Sequence, residues 1–414
     1  MIRAFRTMTC AAITLLLLSA CTSDKNVCAG LREDLRRCGL PVESLDCSRI
    51  DPAAEDALAG RIDTRGCNGV AQDDSDAVDP RLCALAGWPC PVSPTPPPGD
   101  EKPRYPIVFV GGIDGTPVFD WNPRILAALE RDSAIVAHHV QVTPWATTAE
   151  RGADLWSSLS ALRAHARSGG TKLNLICYAV GGIDCRFVAS PNGLFKGDAA
   201  GYEEVLATVA SITTISTPHR GTRVAEAALS ALQSGAAADV LQTLLGSSAP
   251  SNVSEDAALT QTLQGLTLEA LQSFNREIID GPGIAYQSWA GVSHVLGRSS
   301  AASETSIREH CTSKDGALIF LRHKDTRDAM NEALWVTAPF ASTSRDDQGL
   351  VVASPSDGMV SVESAKWGEF RGCLPADHYD VIGQIGHSAR DGMTGFDSPL
   401  FFRYVASDLA VRGF

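Results

Sequence analysis

No Cys-x-x-Cys pair occurs in this chain of 414 residues, so the close thiolate spacing on which structural zinc sites are commonly built is missing. Basic residues are in short supply: 35 lysines and arginines face 48 acidic residues, a formal net charge of -13. That balance argues against nucleic acid as a partner, because such affinity comes from cations that neutralise phosphates. The apolar run Ala11 to Leu18 is too short to span a bilayer comfortably, which takes roughly 20 residues. No internal repeat is visible. What the chain does hold is 44% hydrophobic residues, enough for a sizeable buried core and too many for a purely disordered chain.

Arg3 and Arg6 precede the short apolar run, and Leu18-Ser19-Ala20-Cys21 closes it, the layout of a bacterial secretory signal. The last four residues resemble the lipobox of bacterial lipoproteins. That resemblance implies a signal over residues 1–20, acylation of Cys21 and a membrane anchor, and Thr22 directs the product to the outer membrane or cell surface if the enterobacterial sorting habit applies. An ordinary soluble secreted protein cut elsewhere is the competing reading. Loss of Arg3 and Arg6 would leave a mature chain near -15. Of twelve cysteines, ten lie beyond Cys10 and Cys21 in an exported, oxidising setting, where disulfides are the default.

Six of those ten crowd into Cys28, Cys38, Cys47, Cys67, Cys83 and Cys90. A segment that small builds little core by burial alone and needs covalent staples. Cys28, Leu31, Leu35 and Cys38 share one helical face, and Asp51-Pro52 reads as the cap and first turn of a second helix, so residues 21–90 are expected to form a small disulfide-rich helical module. The nearby run Asp73, Asp74, Asp76 and Asp79 lacks the glycine and spaced glutamate of a calcium loop and reads as solvated. Residues 91–104 are proline-rich and form an extended linker. From Tyr105 to Phe414 strand-like runs (Ile107 to Val110, Ile135 to Val142, Leu173 to Ala179, Ala210 to Ile215, Ile284 to Trp289) alternate with helical stretches such as Ala149 to Arg167. That alternation predicts an α/β domain with a mainly parallel sheet flanked by helices.

Four segments of this domain carry the chemistry. "YPIVFVGGIDG" ends a strand in a glycine-rich turn with Gly111, Gly112 and Gly115; alone it would suit a phosphate as well. "NLICYAVGGIDC" has the strand and paired glycines of a nucleophile elbow, with Cys177, Gly181 and Gly182 as the small residues such a turn requires, but Ala179 at its tip. "STPHRGT" leads into the Ala-, Leu- and Gln-rich helical stretch Val224 to Phe274. Asp357 stands in an Asp-Gly turn and His378 follows some twenty residues later. A lone Asp-Gly is usually a turn and a lone histidine usually packed or solvated; four motifs in order reverse that.

Taken together these segments resemble the bacterial true-lipase group of the α/β-hydrolase superfamily, related to secreted triacylglycerol lipases, over roughly Tyr105 to Phe414. The resemblance implies the α/β-hydrolase fold with a helical lid over Val224 to Phe274. It further implies an oxyanion hole from the backbone N-H groups of Ile113 and Val180, a triad acid in Asp357 and a triad base in His378. The chain departs from the family where Gly111 replaces a histidine, Tyr178 replaces a histidine and Ala179 occupies the serine position. The family's structural calcium implies Asp380 as a ligand, with Asp325 as its partner and Asp328 as runner-up; no organic cofactor is implied. Cys311 and Cys373 bracket a segment where related lipases carry one disulfide. Cys177 and Cys185 either bridge or stay reduced in the core, and the reduced state is the expectation taken here.

Alanine has no atom that can attack a carbonyl, and loss of the serine costs on the order of 10⁶-fold in kcat. Buried Cys177 is no substitute, because an apolar thiol is inert. The expectation is a lipase-like lipoprotein that binds lipid or a hydrophobic ester and catalyses little. Two alternatives stand beside it: an active carboxylic ester hydrolase by another route, such as water activated by His378, and a cell-envelope interaction protein of unknown protein partner.

Overall fold

The computed structural model describes residues 101–113, 120–132, 135–165, 171–233, 257–297, 301–311, 328–345, 350–384 and 396–414, together with Glu33, Asp391 and Thr394. The expected signal, Cys21, the remainder of the cysteine-rich module and most of the linker lie outside the described residues. Among the described residues no helix is long and apolar enough to cross a membrane.

Eight strands are described: β1 (Ile107–Val110), β2 (Ala137–Val140), β3 (Leu173–Tyr178), β4 (Val209–Ile215), β5 (Ala285–Gly291), β6 (Thr343–Arg345), β7 (Val351–Ala353) and β8 (Glu369–Leu374). Six form one sheet in the order β2-β1-β3-β4-β5-β8, every neighbouring pair parallel, and β6 and β7 make a separate antiparallel pair. The central strands β1, β3 and β4 are buried along their whole length, as a sheet covered on both faces requires. Their side chains alternate between the two layers. Val108, Val110, Leu175 and Cys177 pack under α1 (Thr148–His165) and α2 (Gly181–Ala189), against Leu155, Leu159 and Val188. Ile107, Phe109, Ile176 and Tyr178 pack on the other face, against Phe401 and Phe402 of the C-terminal helix Ser398–Val411.

The five strands expected from sequence are all present with ends shifted by no more than two residues, and α1 matches the expected helix within two residues at each end. β8 is an addition to them: Glu369 and Arg371 interrupt its apolar pattern, which a strand at the sheet edge tolerates because they pair with Arg412 and Asp408 beside it. The expected lid region holds three described helices, Arg223–Gln233, Ala257–Gly265 and Leu268–Glu277, while residues 234–256 fall outside the description.

Candidate active site

The carboxyl ends of β1 and β3 and the loops after β7 and β8 converge on one place. β3 runs straight into a sharp turn whose tip is Ala179, held at φ 48°, a left-handed conformation that costs a residue with a side chain on the order of 1–2 kcal/mol. The turn is fixed on both sides: Ala179 N-H donates to the Ile215 carbonyl and Gly182 N-H donates to the Ala179 carbonyl. The helix behind it approaches so closely that a Cβ on Gly181 would lie 2.2 Å from the Gly111 carbonyl oxygen, and one on Gly182 would lie 2.1 Å from Thr217 Oγ1. Only glycine fits at either position.

The expectation for Cys177 and Cys185 is corrected here. The two form a disulfide that ties the end of β3 to α2 across the elbow, with Cα atoms 6.8 Å apart. Each residue alone reads as a small core side chain, which is compatible with a reduced pair; the hairpin-sharp reversal at Ala179 is what brings the two β-carbons together. Cys311 and Cys373 form the second described disulfide, from the helix Ala301–Cys311 to β8.

His378 and Asp357 meet beside the elbow. His378 Nδ1 lies 2.8 Å from Asp357 Oδ2, and the Met359 and Val360 N-H groups donate to Oδ1 of the same carboxylate at 2.9 and 2.7 Å. Both side chains are buried. A carboxylate so surrounded by donors asks for a proton on Nδ1, which leaves Nε2 as the ring's acceptor. Nε2 has no hydrogen-bond partner among the described residues. The loop is held from below by Tyr178, whose hydroxyl donates to the His378 carbonyl at 2.8 Å and whose ring lies 5.0 Å from the imidazole. Tyr178→Phe is expected to keep the ring contact and lose about 1–2 kcal/mol of stability through the unpaired buried carbonyl, measured by urea unfolding.

The turn after β1 is oriented by a buried cation. Arg151, on α1 and 1% exposed, donates to the carbonyls of Gly112, Ile113 and Thr143 and pairs with Asp184 of α2 at 2.8 Å. Burial pushes the Asp184 carboxyl upward while Arg151 pulls it back. Because the N-H and C=O of a trans peptide point in opposite directions, holding the Gly112 carbonyl toward Arg151 turns the Ile113 N-H the other way. Ile113 lines the same cavity as Ala179, Val180 and His378, and neither the Ile113 nor the Val180 N-H has a backbone partner among the described residues. Arg151 reads in sequence as one more charged residue on a long helix; nothing there signals its position opposite Asp184.

Above these groups lies an apolar cavity, roofed by Val224, Ala225 and Ala228 of the helix Arg223–Gln233 and by Leu263 and Leu266, with Met359 and Val360 at its side.

A parallel sheet of this order, a left-handed turn between its third strand and the following helix, and an acid and a histidine on later loops define the architecture. The fold is that of the α/β-hydrolases. No family model matches the chain. Triacylglycerol lipase 2 of Saccharomyces cerevisiae is 26% identical over 252 residues, 58% of this chain and 58% of that protein. The triacylglycerol lipase of Vibrio cholerae serotype O1 is 29% identical over 220 residues, 48% of this chain and 65% of that protein. The chain thus spans about three-fifths of the length of these relatives. Among solved structures, lipase 1 from Pelosinus fermentans superposes with a TM-score of 0.46 at 15% identity, covering 74% of this chain and 99% of that one. The Staphylococcus hyicus lipase gives 0.43 at 17% identity, covering 77% and 98%.

In this hydrolase frame Asp377 and Asp380 flank His378 along the chain and meet Asp328, so that one carboxylate oxygen of each lies within 4.8 Å of the others. Asp380 is the ligand expected from sequence and Asp328 the second choice for its partner; Asp325 lies outside the described residues, and Asp377 is a member that sequence reasoning missed. Asp377 accepts from the N-H groups of Asn331, Tyr379 and Asp380, yet burial pushes its carboxyl up to about 6. Asp328 and Asp380 are raised well above the ordinary carboxylate range by burial and by the neighbouring aspartates. Among the described residues Asp328 Oδ2 is buried with no hydrogen-bond partner, and no basic side chain pairs with the three. An all-carboxylate set with an orphaned buried oxygen fits a hard divalent cation such as calcium.

Proposed function

We propose that this chain is a lipase-like protein whose cavity holds a lipid or a hydrophobic ester and which hydrolyses little or nothing. One observation carries the reading: Ala179, held in a left-handed turn, lines the same cavity as Ile113, Val180 and His378, and His378 is paired with Asp357. The scaffold for acyl transfer is retained around a residue that cannot attack. Loss of the serine alone removes on the order of 10⁶-fold in kcat, while a residual of about 10³ to 10⁴ over water can survive from binding and the oxyanion donors.

In the binding reading each part keeps a role. The N-H groups of Ile113 and Val180 donate to the carbonyl oxygen of the ligand, Arg151 keeps the first of them turned inward, and the apolar roof takes the acyl chain. His378 has no hydroxyl at residue 179 to deprotonate and remains a polar contact in the cavity lining. The relatives named as triacylglycerol lipases support the choice of an acyl ligand. Mass spectrometry of organic extracts from purified protein tests the reading: acyl lipid carried stoichiometrically supports it, and protein that neither carries nor takes up any acyl compound refutes it. The residues Arg3, Arg6 and Leu18 to Cys21 support export and anchoring through an acylated Cys21 at the outer membrane or cell surface.

The metal belongs to the same proposal. Asp328, Asp377 and Asp380 would hold calcium, which would neutralise three clustered carboxylates and pin the loop that carries His378. The sign of the pH effect follows from the raised carboxyls. Without metal the folded state retains protons that the unfolded chain has released between about pH 4 and 6, so its stability falls as pH rises through that window. Metal binds the deprotonated ligands and removes this loss. Calcium at about 100 times its Kd is expected to add roughly 2.7 kcal/mol, with a larger gap in Tm between loaded and chelated protein at pH 7.5 than at pH 5. A Tm indifferent to chelator at both values would reject the site.

A further inference from the structure

We infer that the cavity selects a free long-chain carboxylic acid over the corresponding ester. The inference rests on the lipid-binding reading above and adds the chemistry of the headgroup. Three residues that line one apolar cavity each bring a hydrogen-bonding group: Ile113 its N-H, Val180 its N-H and His378 its Nε2. None has a partner among the described residues, and Nδ1 of the same ring is committed to Asp357. In a serine hydrolase the nucleophile's hydroxyl would occupy Nε2; the Ala179 methyl offers it nothing.

A carboxyl group satisfies all three at once. One oxygen accepts from the two N-H groups. The other faces Nε2 with a single proton between them, whichever atom holds it. An ester matches only the first half, since its carbonyl oxygen can take the two N-H groups but its alkoxy oxygen carries no proton to give. Binding an ester therefore buries Nε2 unpaired, a loss that sites built around hydrogen bonds convert into selectivity. The change from serine to alanine thus turns a site that processes esters into one whose unpaired groups match the acid that hydrolysis would release.

Equilibrium dialysis of the whole protein with radiolabelled lauric acid and with methyl laurate reads the difference directly. The acid is expected to bind at least about tenfold more tightly than the ester, the order of one buried hydrogen bond. In His378→Leu, which keeps bulk and removes the ring nitrogen, the ratio is expected to fall to near one. If that variant does not fold, Ala179→Ser replaces it: its hydroxyl takes Nε2, and acid binding is expected to weaken several-fold. Equal binding of acid and ester by the unaltered protein, or a preference that survives His378→Leu, overturns the inference and leaves lipid binding standing. Binding of neither ligand removes both.

Discussion

Ala179→Ser is expected to turn the protein into an esterase, raising kcat on 4-nitrophenyl esters by at least about 10³-fold over the unaltered chain. The substitution adds one oxygen at a position already held at φ 48°, in the cavity that holds a histidine already oriented by its carboxylate, and near the Ile113 and Val180 N-H groups, which have no backbone partner among the described residues. Nothing in the backbone must move, because the glycines, the Cys177–Cys185 disulfide and the bond from Ala179 N-H to Ile215 fix the turn independently of the side chain. The same variant should react with a fluorophosphonate at the introduced hydroxyl and lose both properties when His378→Ala is added. A folded Ala179→Ser protein without activity would mean that the elbow and the acid-histidine pair are not in register.

The second large effect belongs to Arg151. Arg151→Met is expected to cost about 3–5 kcal/mol in chemical denaturation, because it strands the Asp184 carboxylate in the core without its partner and releases three backbone carbonyls. Most of that cost comes from the uncompensated charge, so adding Asp184→Leu should recover the larger part of it. In the Ala179→Ser background, the same change is expected to lower kcat by about 10² to 10³-fold with KM little altered, the signature of a misplaced oxyanion donor. A loss below about 1 kcal/mol would show that the turn after β1 is held by something other than this cation.

Much of this is legible in the residues. Strand β1 is an uninterrupted apolar run, β3 and β4 are largely apolar or β-branched, and the elbow announces itself through Gly181 and Gly182, whose missing side chains the packing demands. Asp357 and His378 can be paired only because motif order places them on successive loops. What stays hidden depends on distance in sequence or on the sense of a turn. Arg151 acts on residues some forty positions earlier and on Asp184 thirty-three later. Asp377 sits next to the histidine that draws notice, and its partner Asp328 arrives from another loop nearly fifty residues away. The disulfide at the elbow needs the left-handed reversal at Ala179, a conformation that alanine does not advertise. β8 pairs its charges laterally, so its broken apolar pattern resembles a loop.

We propose an α/β-hydrolase scaffold that lacks its nucleophile at one side chain, Ala179. Its most direct test is the rate of 4-nitrophenyl ester hydrolysis, at short and long chain length, by the unaltered protein beside its His378→Ala variant. Equal rates are predicted, since without a hydroxyl at residue 179 the histidine has no nucleophile to activate. Turnover by the unaltered protein that disappears in His378→Ala would contradict the claim and establish an active enzyme working by another route.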